Sequence, residues 1–158
     1  MRNFTFIIFM IFPLFLLSQT KSETENWIKQ KIENYAYQSP GIYYEYNVEY
    51  QDGNIWIGHE VHMVGLFKLY TADVIPINKI GYVKFEEKED NAWLTISTVN
   101  MQKVITSIDL ETKQKQYLNK VEIILSKSIL NENYPTRIKS AFDKLIEYNG
   151  GNSLKEAF

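Results

Sequence analysis

The residues best suited to chemistry lie in one short segment, His59-Glu60-Val61-His62, which contains both histidines of the chain. Zinc proteases use two histidines four positions apart on one face of a helix, so that both side chains reach the same ion. Here the histidines are three positions apart in a segment that alternates like a strand, and such side chains point to opposite sides of a sheet. A zinc-protease site is therefore excluded.

A β-hairpin decides where each of these side chains points. Residues 42–51 alternate apolar and polar types, Asp52-Gly53 supplies the positive φ angles of a type I′ turn, and the alternation resumes in residues 54–63. A two-residue loop pairs Gln51 with Asn54, and this pair fixes the register of every pair beyond it. The predicted core face carries Ile42, Tyr44, Tyr46, Val48, Tyr50, Ile55, Ile57, His59, Val61 and Met63.

The other face of the hairpin holds a candidate metal site. The register places Glu45 directly opposite Glu60, with His62 one pair along, and opposed like charges destabilise a sheet unless something compensates for them. Two carboxylates and an imidazole can bind a divalent cation or position water for hydrolysis. We favour the alternative, in which Lys68 or Lys84 of a neighbouring strand neutralises the carboxylates. We therefore predict no cofactor and no catalytic residue, with Glu45, Glu60 and His62 kept as candidate metal ligands.

His59 falls on the predicted core face, opposite Tyr46. A lone histidine on a core face is more often a packing residue with a hydrogen-bond partner than a metal ligand. We therefore expect a structural role for His59.

Large aromatic rings mark a candidate binding surface. Trp56 and Trp93 alternate with predicted inward-facing residues, and exposed rings of this size mark interaction surfaces. The interpretation that we favour is that the N-terminal helix, with Trp27, covers these two rings. The candidate binding surface consists of Trp56, Trp93 and Tyr43.

Two amphipathic helices flank the strands. Ser22-Glu23-Thr24-Glu25 is a predicted capping box, and the helix that it starts should stop at Ser39-Pro40-Gly41. A second helix begins near Pro135 and ends at Asn149-Gly150-Gly151. The apolar stripes are Trp27, Ile28, Ile32, Tyr35 and Ala36 in the first helix, and Ile138, Ala141, Phe142, Leu145 and Ile146 in the second.

Short strands occupy the middle of the chain, separated by polar turns at 87–91 and 111–116. The order of elements predicts one α+β domain, residues 21–158, with a curved antiparallel sheet or barrel of about seven strands closed by the C-terminal helix. After the hairpin, strands are predicted at 67–71, 74–77, 81–86, 92–98, 103–110 and 117–126.

Composition narrows the classes of function. The chain has 158 residues, of which 15% are aromatic, a share that favours β structure over a helical bundle. The formal net charge is only −2, and without a basic block the chain is not predicted to bind nucleic acid. The absence of cysteine excludes disulfides and thiolate metal sites.

The N-terminal segment predicts export. Arg2 precedes the apolar run Phe4 to Leu17, and the small polar residues Ser18 and Thr20 follow it. This is the layout of a signal peptide, assigned to residues 1–20 with cleavage after Ser18 or Thr20. The run is too short for a comfortable membrane span, so we expect a periplasmic or extracellular protein with no stable membrane span after cleavage.

The strands and the closing helix resemble the pleckstrin-homology-like barrel of small secreted bacterial proteins with no assigned function. The segments 74–80 and 137–146 carry this resemblance, which extends over residues 42–151. It implies a scaffold that binds peptides, proteins or lipid headgroups, commonly without catalysis. Residues 43–50 contain Glu45 and Glu49 and no basic residue, which disfavours phosphoinositide binding.

The sequence thus predicts an exported, non-catalytic binding module for a peptide, protein or glycan. One alternative is a lipocalin-like carrier that holds a small apolar ligand inside the curved sheet. A second alternative is a weak metal-dependent hydrolase at the paired carboxylates.

Overall fold

The structure, a computed structural model, describes residues 20–63, 65 and 67–152 of the chain. The predicted signal segment lies outside this part of the chain, apart from Thr20. Within the described residues, no helix combines the length and the apolar character that crossing a membrane requires.

The architecture is α+β, as the sequence predicts, with one helix before the strands and one after them. Helix α1 is Lys21–Asn34, helix α2 is Tyr134–Tyr148, and three short 3₁₀ helices lie at Ile77–Lys79, Val99–Met101 and Lys127–Asn133. The strands are β1 (Gln38–Ser39), β2 (Ile42–Gln51), β3 (Asn54–Met63), β4 (Phe67–Pro76), β5 (Ile80–Glu87), β6 (Asn91–Thr98), β7 (Ile105–Asp109), β8 (Lys115–Leu118) and β9 (Lys120–Ser126).

The strands form two antiparallel sheets instead of one closed barrel. The larger sheet has six strands in the order β1-β2-β3-β4-β7-β8, and the smaller has three in the order β5-β6-β9. The segment after α1 joins them, because Ala36 forms a bridge with Leu125 and the Tyr37 amide donates to the Ile124 carbonyl at 3.2 Å. The curved-sheet prediction is confirmed, and the closed-barrel option is not what forms.

The β2–β3 hairpin has the predicted register over its whole length, from Gln51 opposite Asn54 to Ile42 opposite Met63. Asp52 and Gly53 have φ angles of 51° and 74°, as the type I′ turn requires. On the inner face Val48, Ile55 and Ile57 are fully buried, whereas Met63, predicted to belong to the core, is 38% exposed at the open end of the hairpin. The hairpin therefore supplies one wall of the core.

Several strand boundaries differ from the prediction. The two strands predicted at 67–71 and 74–77 form one strand, β4, which runs through Ala72 and Asp73. Both of these residues pair with β3, and Asp73 has a polar partner that is described below. The last predicted strand divides at Asn119 into β8 and β9, which belong to different sheets. The two-residue strand β1 was not predicted, since its pairing with β2 involves only Gln38 and Ser39.

Helix α1 begins two residues earlier than predicted. Its capping box is formed by Thr20 and Glu23: the Glu23 amide donates to the Thr20 hydroxyl at 3.2 Å, and the Thr20 amide donates to the Glu23 carboxylate at 2.7 Å. These hydrogen bonds from Thr20 hold the pKa of the Glu23 carboxyl below its ordinary value. The pair Thr20 and Glu23 has the same spacing as the predicted pair Ser22 and Glu25, and the structure forms the first of these two capping boxes. The helix ends at Asn34, before the predicted stop.

Helix α2 closes one continuous core. All five residues of its predicted stripe are buried, and Phe142 is fully so. Helix α2 packs against α1, β5 and the Ile77–Lys79 turn, while α1 also packs on β2. Gly150, with a φ angle of 73°, follows its end and supplies the left-handed stop.

The substitution Phe142→Ala tests whether helix α2 closes the core. We expect Phe142→Ala to lower the free energy of unfolding by about 3–5 kcal/mol, because it removes buried apolar surface and leaves a cavity. The measurement is chemical denaturation followed by circular dichroism. Glu147→Ala, on the exposed side of the same helix, should change stability by less than about 0.5 kcal/mol. Equal stability of the two variants would contradict the proposed role of α2.

Two tyrosines of β2 differ in how their buried hydroxyls are satisfied. The Tyr46 hydroxyl donates to the Ile124 carbonyl at 3.1 Å and accepts from the Ile124 amide at 2.9 Å, which ties the larger sheet to β9. The Tyr50 hydroxyl is buried with no hydrogen-bond partner among the described residues. Burial raises the pKa of both phenols well above the ordinary value.

The same substitution at these two positions should therefore have opposite effects. We expect Tyr46→Phe to cost about 1–2 kcal/mol, and Tyr50→Phe to be neutral or stabilising, because only the first leaves a backbone group, the Ile124 amide, without the partner that it has here. Unfolded tyrosine ionises near pH 10 while the buried phenols stay neutral, so stability should fall as pH rises above about 10. Tyr50→Phe should make that fall shallower. Equal losses in both variants at neutral pH would contradict this account.

Candidate functional site

The outer face of β2, β3 and β4 brings the candidate metal ligands together. Glu45, Glu60 and His62, called the outer-face cluster below, each offer one ligand atom, and these atoms all lie within 4.8 Å of one another. Glu45 pairs with Glu60 directly across the β2–β3 ladder, as predicted. The arrangement follows from the hairpin register alone.

Aromatic stacking fixes the imidazole of the cluster. The His62 ring lies parallel to the Tyr43 ring, with 4.1 Å between centroids and 9° between planes. Only 13% of the His62 side chain is exposed, and its Nε2 lies 2.7 Å from Oε1 of Glu60. Tyr43, which is 36% exposed, thus holds His62 against the sheet as well as offering a ring to solvent.

Tyr70 is a member of the site that the sequence analysis missed. Its hydroxyl donates to Oε1 of Glu60 at 2.9 Å, and it pairs with Glu60 across the β3–β4 ladder. The available signal was Gly65, whose positive φ of 83° suits the short connection between Met63 and Phe67. Treating 67–76 as one strand would have aligned Tyr70 with Glu60.

Of the two lysines expected to neutralise the carboxylates, only Lys68 lies on a strand next to the cluster. Lys84 lies in β5 of the smaller sheet, where its ammonium is 2.7 Å from Glu86. Lys68 pairs with His62 in the β3–β4 ladder, but its side chain lies outside the described part of the structure. Glu45 makes no hydrogen bond or ion pair with a described residue.

A cleft of about 260 Å³ opens beside the cluster. Gly58 lies within it opposite Asn47, and a Cβ added to Gly58 would meet Asn47 only at ordinary contact distance, 3.7 Å. The missing side chain of Gly58 therefore creates much of the open space. The lining residues are Glu45, Tyr46, Asn47, Gly58, His59, Glu60, Tyr70, Thr71 and Leu110.

His59 points to the other side of the sheet, as predicted, and has a buried partner there. Its Nε2 lies 2.8 Å from Oδ2 of Asp73, and both side chains are close to nine-tenths buried. The His59 ring meets the Tyr46 ring edge to face at 5.3 Å. Like Nε2 of His62, Nε2 of His59 makes no directed hydrogen bond despite the short contact, and Oδ1 of Asp73 has no hydrogen-bond partner among the described residues. This geometry favours the structural role predicted for His59, and its partner was missed because β4 was predicted as two separate strands.

The three aromatic residues of the predicted binding surface do not share one sheet. Tyr43 and Trp56 lie on β2 and β3 of the larger sheet, whereas Trp93 lies on β6 of the smaller one. Trp93 donates from Nε1 to the Asn91 side chain at 2.8 Å, with the Lys88 ammonium 5.7 Å from its ring centroid. Trp27 packs near Tyr134 of α2, 6.5 Å between centroids. Trp93 thus belongs to a separate surface.

Another exposed ring extends the outer face of the larger sheet. Tyr117 of β8 is 62% exposed. It continues the ladder row that runs from Trp56 through Val74 and Thr106. Sequence analysis missed Tyr117 because the β7–β8 pairing was not predicted.

Comparisons with protein-family models, with curated proteins and with solved structures found no match. The resemblance to pleckstrin-homology-like barrels therefore stays a prediction from the sequence pattern. Function has to be argued from the geometry of the outer face.

The buried His59–Asp73 pair yields a stability prediction. Asp73→Ala should lower the free energy of unfolding by about 3–5 kcal/mol, because it removes one member of a buried polar pair and leaves His59 buried without its partner. Denaturation of Asp73→Ala, His59→Phe and the double variant measures the coupling between them. The double variant should lose less than the two single variants together. Strict additivity would show that the 2.8 Å contact contributes nothing.

Proposed function

We propose that the protein is an exported, non-catalytic binding module that recognises a glycan on the outer face of its larger sheet. The observation that carries this proposal is the cleft of about 260 Å³ lined by Glu45, Asn47, Glu60 and Tyr70. Tyr43 and Trp56 lie on the same sheet face. Export is supported by the signal-peptide pattern of residues 1–20.

The size of the cleft favours one unit of a longer ligand. Pockets that enclose a complete small molecule have volumes of about 300–1,000 Å³, and this cleft is smaller and open to solvent. A chain-like ligand would place one unit over Gly58 and its neighbours on the flanking rings. The row through Trp56 and Tyr117 provides such rings on one side of the cleft, and Tyr43 with Tyr70 on the other.

The polar groups of the face suit a ligand rich in hydroxyl groups. Glu45, Glu49 and Glu60 lie on this face of the hairpin, and ionised carboxylates only accept hydrogen bonds. Sugar hydroxyls donate to such groups and also pair with the amide of Asn47, while the apolar faces of sugar rings pack on aromatic rings. This combination supports a glycan over an apolar ligand.

Two alternatives are less well supported by the geometry. A peptide that adds a strand needs a long free sheet edge, but the edge strands of the larger sheet, which carries the cleft, contain only two residues (β1) and four residues (β8). The longer edge strand β5 belongs to the smaller sheet. A carrier needs an internal cavity, whereas Val48, Ile55 and Ile57 of the inner face are packed into the core. Binding on the outer face requires neither condition.

A glycan array followed by calorimetric titration of the strongest ligand tests the proposal. We expect Trp56→Ala to weaken binding about tenfold through the loss of ring stacking. Gly58→Val should weaken it at least as much, because the new side chain fills the cleft in a position where a Cβ fits without strain. The matched control is Trp93→Ala, on the smaller sheet, which should bind within about twofold of the parent.

Three results would contradict the proposal. The first is an array without a ligand, combined with binding of a lysine-rich peptide to the carboxylates. The second is equal weakening by Trp56→Ala and Trp93→Ala. The third is unchanged affinity in Gly58→Val with its thermal stability intact.

A further inference from the structure

The outer-face cluster has the composition of a divalent-metal site. We propose that Glu45, Glu60 and His62 bind a zinc ion, with the fourth position open to water. Zinc accepts imidazole nitrogen and carboxylate oxygen and is commonly held by three protein ligands and one water. The proposed zinc site shares Glu45 and Glu60 with the glycan cleft, but zinc binding can be tested without a glycan.

The distances allow the three side chains to reach one ion. Two ligand atoms bound tetrahedrally to one zinc at about 2.1 Å are about 3.4 Å apart, and the present ligand atoms lie within 4.8 Å of one another. The largest movement that closes the site is therefore about 1.4 Å. Glu45 can supply it by rotation, because its side chain is exposed and makes no hydrogen bond or ion pair with a described residue.

The state of the imidazole is a second observation that points to a ligand. Nε2 of His62 is buried and has no hydrogen-bond partner among the described residues, although Oε1 of Glu60 is 2.7 Å away. The contact is thus short without being a directed hydrogen bond. An ion bound by the outer-face cluster would give Nε2 of His62 the partner that it lacks among the described residues.

Neighbouring side chains hold two of the three ligands in position. Tyr43 stacks on His62 with 9° between the ring planes, and the Tyr70 hydroxyl donates to Glu60 at 2.9 Å. Contacts from residues that surround a metal site orient the ligand side chains and raise the affinity for the metal. Glu45 lies on the opposite strand, so an ion would also join β2 to β3 through side chains.

The chemical types of the three ligands favour some cations over others. Calcium prefers six to eight oxygen ligands, while an imidazole with two carboxylates suits zinc and other first-row metals, with zinc bound more tightly than manganese. An ion would also offset the direct opposition of Glu45 and Glu60, which is unfavourable without compensation.

The test is zinc titration of the tag-free protein, followed by calorimetry and by thermal unfolding. We expect one zinc per chain and a melting temperature that rises with zinc concentration by mass action. Calcium should produce no such rise. Glu45→Gln and His62→Gln should each weaken zinc binding by at least about tenfold. Glu49→Gln is the matched control, because it removes the same charge from the same face of β2 outside the cluster, and it should bind zinc as the parent does.

The metal-free variants distinguish a metal site from a folding defect. Without zinc, Glu45→Gln should melt at the same temperature as the parent or higher, since it removes one of two opposed charges. With zinc, it should melt lower than the parent. The proposal is overturned if zinc leaves the parent's melting temperature unchanged, if calcium raises it as zinc does, or if Glu49→Gln loses zinc binding as Glu45→Gln does. None of these measurements uses a glycan, so failure of one proposal does not entail failure of the other.

Discussion

The antiparallel register of β2 and β3 is the constraint on which the rest of the structure depends. A slip of one residue would turn either Val48 of β2 or Ile55 and Ile57 of β3 to solvent and bring the charged residues of that strand into the core. The left-handed backbone at Asp52 and Gly53 sets this register. The register that buries the apolar residues also places Glu45 opposite Glu60. The charge opposition on the outer face is thus a direct consequence of how the core is formed.

Features that depend on neighbours in sequence were predictable. Period-two alternation and one turn dipeptide were sufficient for the complete hairpin, for the outer-face cluster and for the inward direction of His59. Helical spacing was sufficient for the five buried residues of α2. In each case the deciding contacts are between residues of one hairpin or successive turns of one helix, where geometry leaves few alternatives.

Features that depend on distant pairing were not predictable. Tyr70 and Asp73 join their partners only through the β3–β4 ladder, and a Gly-containing connection fixes register less firmly than a two-residue turn. The division into two sheets occurs where the last predicted strand breaks at Asn119, and residues 35–37 join the two sheets by pairing with β9 far along the chain. The apolar pattern of these segments permits either one sheet or two, and long-range hydrogen bonds decide between them.

The Thr20 cap of α1 bears on where the mature chain begins. If the signal peptide is cut after Ser18, Gln19 becomes the first residue and both hydrogen bonds between Thr20 and Glu23 are kept. A cut after Thr20 would remove the cap and leave the new α-ammonium group of Lys21 at the helix end whose dipole is already positive. The charge of that new terminus would oppose the helix instead of supporting it. The cap would therefore link the position of the predicted cleavage to the stability of the first helix.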